Sequence, residues 1–137
     1  MDDLRQTVLY YVAREGKTEC IDYLINNRCR TDHIDIYKQT PLYYAVRENR
    51  VETAKKMISC LGDTDEERRK RINHMDSENE TVLFYACNEG HYDMTVLLVE
   101  NGADFNIENK DRLTCLDVWK RKKNYKIEQY LLSLGAK

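Results

Sequence analysis

The residues of this 137-residue chain whose types could do chemistry are three histidines, five cysteines and a Gly-Lys-Thr run. His33, His74 and His91 lie too far apart, and too far from any cysteine pair, to form a zinc set, so structural roles are expected for them. Cys20, Cys29, Cys60, Cys87 and Cys115 are odd in number and contain no CxxC. That pattern points to a reducing compartment and to thiols packed as small core residues. Gly16-Lys17-Thr18 lacks the first glycine of a phosphate loop. No nucleophile, base and orienting acid can be assembled from spacing. The expectation is a chain with no catalytic residues, no metal and no cofactor.

Charge narrows the partners. Asp and Glu number 24 against 22 Lys and Arg, for a net charge of −2, which argues against a general nucleic-acid or membrane binder. The apolar stretches are a few residues long, far short of a membrane span. Met1-Asp2-Asp3 does not begin a signal peptide, and an intracellular location, cytoplasmic or nuclear, is expected. Two basic runs, residues 68–71 (RRKR) and 120–123 (KRKK), are candidates for a localisation signal or a phosphate contact. Acidic residues 63–67 precede the first, as in a self-neutralised surface helix. The second reads as the polar outer face of a terminal unit.

The stronger signal is a repeat. LYYVA at 9–13 returns as LYYAV at 42–46 and LFYAC at 83–87. Thr7, Thr40, Thr81 and Thr114 each precede Leu9, Leu42, Leu83 and Leu116 by two, at intervals of 33, 41 and 33 residues. The long interval holds DTDEERRKR, an insertion at 63–71. Each unit reads as helix, turn, helix. The threonine is expected to be the helix N-cap, with Pro41 at the first helical position. Leu9, Val12 and Ala13 form an i, i+3, i+4 stripe that repeats at Leu42, Ala45, Val46 and at Leu83, Ala86, Cys87. Gly16, Asn49 and Gly90 follow in one register, where a helix ends in the left-handed conformation.

These units resemble the ankyrin repeat over essentially the whole chain. The third carries the clearest match, through Thr81, Leu83, Ala86, Gly90, His91, Leu97, Leu98, Gly102, Ala103, Asp104 and Asn106. The resemblance implies a single all-α domain: a solenoid of stacked helix-turn-helix units with β-hairpin loops projecting from one edge. The four repeats run at about 5–37, 38–78, 79–111 and 112–137. There are departures. The histidine usual after the repeat leucine is Tyr10, Tyr43, Phe84 and Asp117, and Lys38, Asn79 and Arg112 stand where the loop usually has glycine.

At about 100° per residue, position 10 lies roughly 105° from the core stripe and position 11 roughly 150° from it. Tyr10, Tyr43 and Phe84 are therefore expected between repeats, and Tyr11, Tyr44 and Tyr85 outward. In the ankyrin family that outward face lines the concave groove, and tyrosine is a favoured interface anchor. The alternative is an amphipathic residue covering helix backbone. The same arithmetic turns Arg14-Glu15, Arg47-Glu48, Asn88-Glu89 and Arg121 toward the groove, where the glutamates form an acidic row suited to a basic partner. At the loop tips Ile36, Tyr37, Glu78, Lys110 and Leu113 are further contact candidates; Gln39 and Glu80 stand beside them.

The expectation that follows is a monomeric, non-catalytic protein-interaction module that binds a peptide or partner surface along the groove. One alternative is a reader domain, for example of basic histone tails, cut from a larger chromatin enzyme. Another is an assembly subunit using the insertion or the convex face.

Overall fold

The computed structural model describes residues 6–26, 33–122 and 125–135, without the side chains of Ile25, Asn26, Trp119, Arg121, Lys122 and Tyr125. Among these residues nine α-helices form. They pair as α1 (Val8–Glu15) with α2 (Ile21–Asn26), α3 (Pro41–Arg47) with α4 (Val51–Ser59), α6 (Val82–Glu89) with α7 (Tyr92–Glu100), and α8 (Cys115–Lys122) with α9 (Tyr125–Ser133). The extra helix α5 (Asp65–Ile72) lies in the long interval. First helices stack on first helices, α1 on α3 on α6 on α8.

The stripes become the core. Leu9, Leu42, Leu83 and Leu116 are buried, as are Ala13, Val46 and Cys87 one turn on, and Ile21, Met57, Met94 and Ile127 from the second helices. Burying a leucine fully contributes roughly 1.5–3 kcal/mol, so four in register supply much of the cohesion along the stack. The buried thiols behave as small apolar groups; burial, with Cys87 beside it, pushes the Cys115 thiol up. Cys29 lies outside the described residues.

The turn between paired helices forms as its sequence requires. Gly16, Asn49 and Gly90 have φ of 72°, 56° and 76°, the left-handed values that end each first helix. The threonines do stand at the helix starts in extended backbone, but Thr7, Thr40 and Thr81 accept no capping bond through their hydroxyls. Only the fourth unit forms a side-chain cap. There the Thr114 hydroxyl accepts from the Asp117 N–H at 3.4 Å, and the Asp117 carboxylate accepts from the Thr114 N–H at 3.0 Å, a capping box. Asp117 replaces the aromatic of the earlier units, so the fourth repeat caps its own helix where Tyr10 and Tyr43 reach forward.

The projecting loops are tight turns, and no strand forms among the described residues. Each is closed across its base by one backbone bond, Asp35 N–H to Gln39 C=O, Asp76 N–H to Glu80 C=O and Asn109 N–H to Leu113 C=O, all at 3.0 Å, and a second bond tightens its tip, from Lys38, Asn79 and Arg112 N–H to the Asp35, Asp76 and Asn109 carbonyls. Single bonds tie neighbours, from Ser77 N–H to Tyr37 C=O at 3.0 Å and from Lys110 N–H to Glu78 C=O at 3.1 Å. One backbone bond between neighbouring loops does not make a ladder, hence turns rather than hairpin strands.

The insertion is locally built. The Thr64 hydroxyl accepts from Glu67 N–H at 3.1 Å, and the Glu67 carboxylate accepts from Asp63 N–H at 3.0 Å. Arg68 pairs with Asp65 and donates to the Gly62 carbonyl, Arg71 donates to the Leu61 carbonyl, and the Arg69 side chain lies against Gly102. Three of the four residues of the first basic run are thus engaged within the fold. Asn73 then pins the insertion to the turn after α7, donating to Gly102 C=O at 3.0 Å and accepting from Asp104 N–H at 2.7 Å.

Lys38, Asn79 and Arg112 all take φ near +60°, at 60°, 60° and 61°. A Cβ is strained there, least so for asparagine. Lys38→Gly and Arg112→Gly are each expected to raise stability by roughly 0.5–1 kcal/mol in urea unfolding, and Asn79→Gly by less.

Candidate functional site

The repeated aromatic pair fills the first two junctions in the same way. Tyr10 and Tyr43 are buried, and each places its hydroxyl between two carbonyls of the loop ahead. For Tyr10 these are His33 at 2.7 Å and Gln39 at 2.8 Å; for Tyr43 they are His74 at 2.6 Å and Glu80 at 2.8 Å. Each ring packs edge-on against the second tyrosine of the next unit, Tyr10 on Tyr44 at 5.4 Å and Tyr43 on Tyr85 at 5.7 Å. Phe84 is buried in the same place without a hydroxyl.

The second aromatics depart from expectation. Tyr44 is only 8% exposed and Tyr85 is half-buried, while Tyr11 is 48% exposed. A helical wheel sees one helix; it does not see the loop that precedes the helix and folds back over it. In that loop, nine residues before each tyrosine, stands a buried aspartate. Tyr44 donates to Asp35 Oδ2 at 2.5 Å, and Gln6 Nε2 donates to both, at 2.7 Å to the hydroxyl and 3.1 Å to the carboxylate. Tyr85 donates to Asp76 Oδ2 at 2.6 Å, and Gln39 Nε2 donates to both, at 3.0 Å and 2.9 Å. The two triangles are copies. Asp2 would stand nine residues before Tyr11, but it lies outside the described residues.

Each aspartate also shapes its own turn. Asp35 Oδ1 accepts from the N–H groups of Tyr37 and Gln39 at 2.9 and 3.0 Å, and Asp76 Oδ1 from those of Glu78 and Glu80 at the same distances. Asn109 Oδ1 does this for Asp111 and Leu113 at 2.9 and 3.0 Å. The third junction keeps the geometry with polarity exchanged: Asn109 Nδ2 donates to Glu80 Oε2 at 2.9 Å, where Gln39 donated to Asp76. Spacing alone did not single out Asp35, Asp76, Asn109 or Gln6. Their signal was a recurring Asp/Asn-x3-Gln/Glu/Leu in the loops, in the same register as the threonines.

Arg47, expected to face the groove, joins this network. Its guanidinium lies 4.7 Å from the Tyr44 ring centre and 5.0 Å from that of Tyr85, and it donates to Gln39 Oε1. The remaining groove residues divide cleanly. Glu15, Glu48, Asn88 and Glu89 are exposed, and Arg14 is half-buried. At the loop tips Ile36 and Tyr37 are 48% and 47% exposed, Glu78 and Lys110 are exposed and Leu113 is half-buried. Gln39 and Glu80, read beside the tips, turn inward instead. Arg121 belongs to α8, and its side chain lies outside the described residues. No group of three His, Cys, Asp or Glu among the described residues could hold a metal. His74 and His91 bond to the Lys38 and Arg47 carbonyls, bracing adjacent units.

Burial, and then the neighbouring carboxylates, push the hydroxyls of Tyr43, Tyr44 and Tyr85 up; Tyr10 is shifted the same way by burial and Asp35. The unfolded chain ionises its tyrosines near pH 10 while the folded one holds these protons. Their contribution is therefore complete below pH 10 and lost as pH rises above it. Urea unfolding between pH 8 and 11 should show this fall, with a shallower slope in Tyr43→Phe. The exchanged polarity at the third junction yields a second expectation. Gln39→Glu and Asp76→Asn should each cost roughly 1–3 kcal/mol, and the double variant should recover part of the loss, as measured in a double-mutant cycle.

A family model described as ankyrin repeats (3 copies) matches residues 1–68 and again residues 65–137. No curated protein matched the chain. Members of this family are generally protein–protein interaction modules, and no helix among the described residues is long and apolar enough to cross a membrane. With the family model spanning the whole chain and the stacked helix pairs in register, the chain belongs to the ankyrin repeat family.

Proposed function

We propose that the chain is a non-catalytic module that holds a peptide or the surface of a protein partner along the face formed by its first helices. The observation that carries this reading is the division of labour on that face. Tyr44, Tyr85 and Arg47 are committed to junctions, whereas Tyr11, Glu15, Glu48, Asn88 and Glu89 recur in register and are left exposed. Three exposed glutamates, one in each of the first three units and the first of them on the helix of Tyr11, favour a basic partner. Arg47 already occupies the faces of Tyr44 and Tyr85, so those two rings act as supports. Tyr11 remains the aromatic anchor. A second contact zone lies at the loop tips, where Ile34, Ile36, Tyr37 and Met75 are each 42–48% exposed.

The test is capture from cell extract by the wild type, by Tyr11→Ala with Glu48→Ala, and by Ile36→Ala with Tyr37→Ala. Loss of a defined partner with the first pair supports the groove. Loss with the second pair alone moves the interface to the loop tips and overturns the groove reading. Tyr11→Ala is expected to change stability by no more than about 0.5 kcal/mol. Tyr44→Ala should cost about 3–5 kcal/mol, because it empties a buried site and strands Asp35 and Gln6. Thermal unfolding followed by circular dichroism separates the two.

A further inference from the structure

The junction between the third and fourth units leaves a space that the preceding junction fills. A cavity of about 120 Å³ opens there, lined by Glu80, Phe84, Tyr85, Asn88 and Val118. That is near the size, about 150 Å³, of an engineered cavity that takes up benzene. Its origin is visible on moving back one repeat. The matching positions are Gln39, Tyr43, Tyr44, Arg47 and Tyr85, and there the volume is occupied by the Tyr85 ring and the Arg47 guanidinium.

Two of the groups that fill the space are therefore deleted. Asn88 stands for the arginine and Val118 for the outer tyrosine. The groups that receive the guanidinium are kept. Tyr85 offers its ring where Tyr44 does, and Glu80 stands where Gln39 presents an amide oxygen. Glu80 adds a negative charge. Its Oε2 accepts from Asn109 at 2.9 Å, and its Oε1 accepts no bond among the described residues.

We propose that this cavity receives an arginine side chain of a protein partner, its guanidinium over the Tyr85 ring and bonded to Glu80, as Arg47 lies over Tyr44 and bonds to Gln39. The inference rests on the reading that a partner lies along this face, and it names the residue recognised. Arginine fits better than lysine because a planar guanidinium stacks on a ring and forks toward a carboxylate. Exposed Glu89, on the same helix, adds to the attraction. An apolar neighbour of that arginine would cover Val118, where the missing tyrosine ring would lie.

The test is a titration of 15N-labelled full chain with Nα-acetyl-arginine amide, and separately with the lysine and citrulline amides. Saturable shifts at Glu80, Tyr85, Asn88 and Val118 are expected with the arginine probe. Binding should weaken at least about tenfold with citrulline and in Glu80→Gln. Asn88→Arg supplies an internal guanidinium and should abolish the shifts, with circular dichroism unchanged because Asn88 is exposed. Equal binding to Asn88→Arg, or shifts confined elsewhere, overturns the proposal. A displayed peptide library selected on the wild type separates the two readings. Arginine-rich binders lost on Asn88→Arg support the inference. Binders that need Tyr11 and Glu48, show no arginine preference and hold Asn88→Arg equally well overturn it and leave the groove reading standing. Binders that ignore Tyr11, Glu48 and Asn88 alike overturn both.

Discussion

Everything in this stack turns on a buried carboxylate at the base of a loop. Asp35 and Asp76 are 4% exposed, a costly place for a charge unless every lone pair is used. They are used. One oxygen closes the turn by accepting two backbone N–H groups, and the other receives a tyrosine hydroxyl and a glutamine amide. Turn shape, rotation of the following helix and spacing to the neighbouring unit are thereby fixed by one side chain. A partly satisfied version would be worse than an apolar junction, which explains why hydroxyl, carboxylate and amide recur as a set.

The chain varies this theme toward its end. Phe84 drops the hydroxyl that bridges two carbonyls, Val118 drops the outer ring, and Asp117 turns from reaching forward to capping its own helix. The acceptor and donor exchange at Glu80 and Asn109 preserves one bond while moving the negative charge from the loop base to a position lining the cavity beside Phe84 and Val118. The junctions thus draw on the same few positions, and the sequence varies them repeat by repeat.

Much of the fold was legible because it depends on local rules. The leucine stripes, Pro41 at a helix start and the left-handed turns at Gly16, Asn49 and Gly90 follow from helix periodicity and from steric freedom at φ > 0. The site was legible only in part. Position 11 does point away from its own helix's core, as a wheel predicts, yet the repeats diverge: Tyr11 is exposed and Tyr44 is not. What covers Tyr44 is Asp35, a loop residue nine positions upstream and a tertiary partner that periodicity within a helix does not contain. The threonine hydroxyls show the converse. Their position was readable, but the cap bond forms only at Thr114, where Asp117 can reciprocate. Arg47 belongs to the same lesson, since its place between two rings requires both neighbours at once.

The helix α5 in the long interval carries a consequence for how such chains grow. The units on either side keep their mutual register, as the copied triangles show, although the threonine interval there is 41 residues rather than 33. Register is set where side chains meet across a junction, and the path between second helix and loop is free to lengthen. Loop-closure entropy rises only by about 0.6 kcal/mol for each doubling of length, less than a typical junction bond supplies. An architecture of this kind can acquire a new surface element by insertion at that bend without repaying the assembly of its core; here Asn73, bonded to Gly102 and Asp104, and Arg69, lying against Gly102, hold the addition in place.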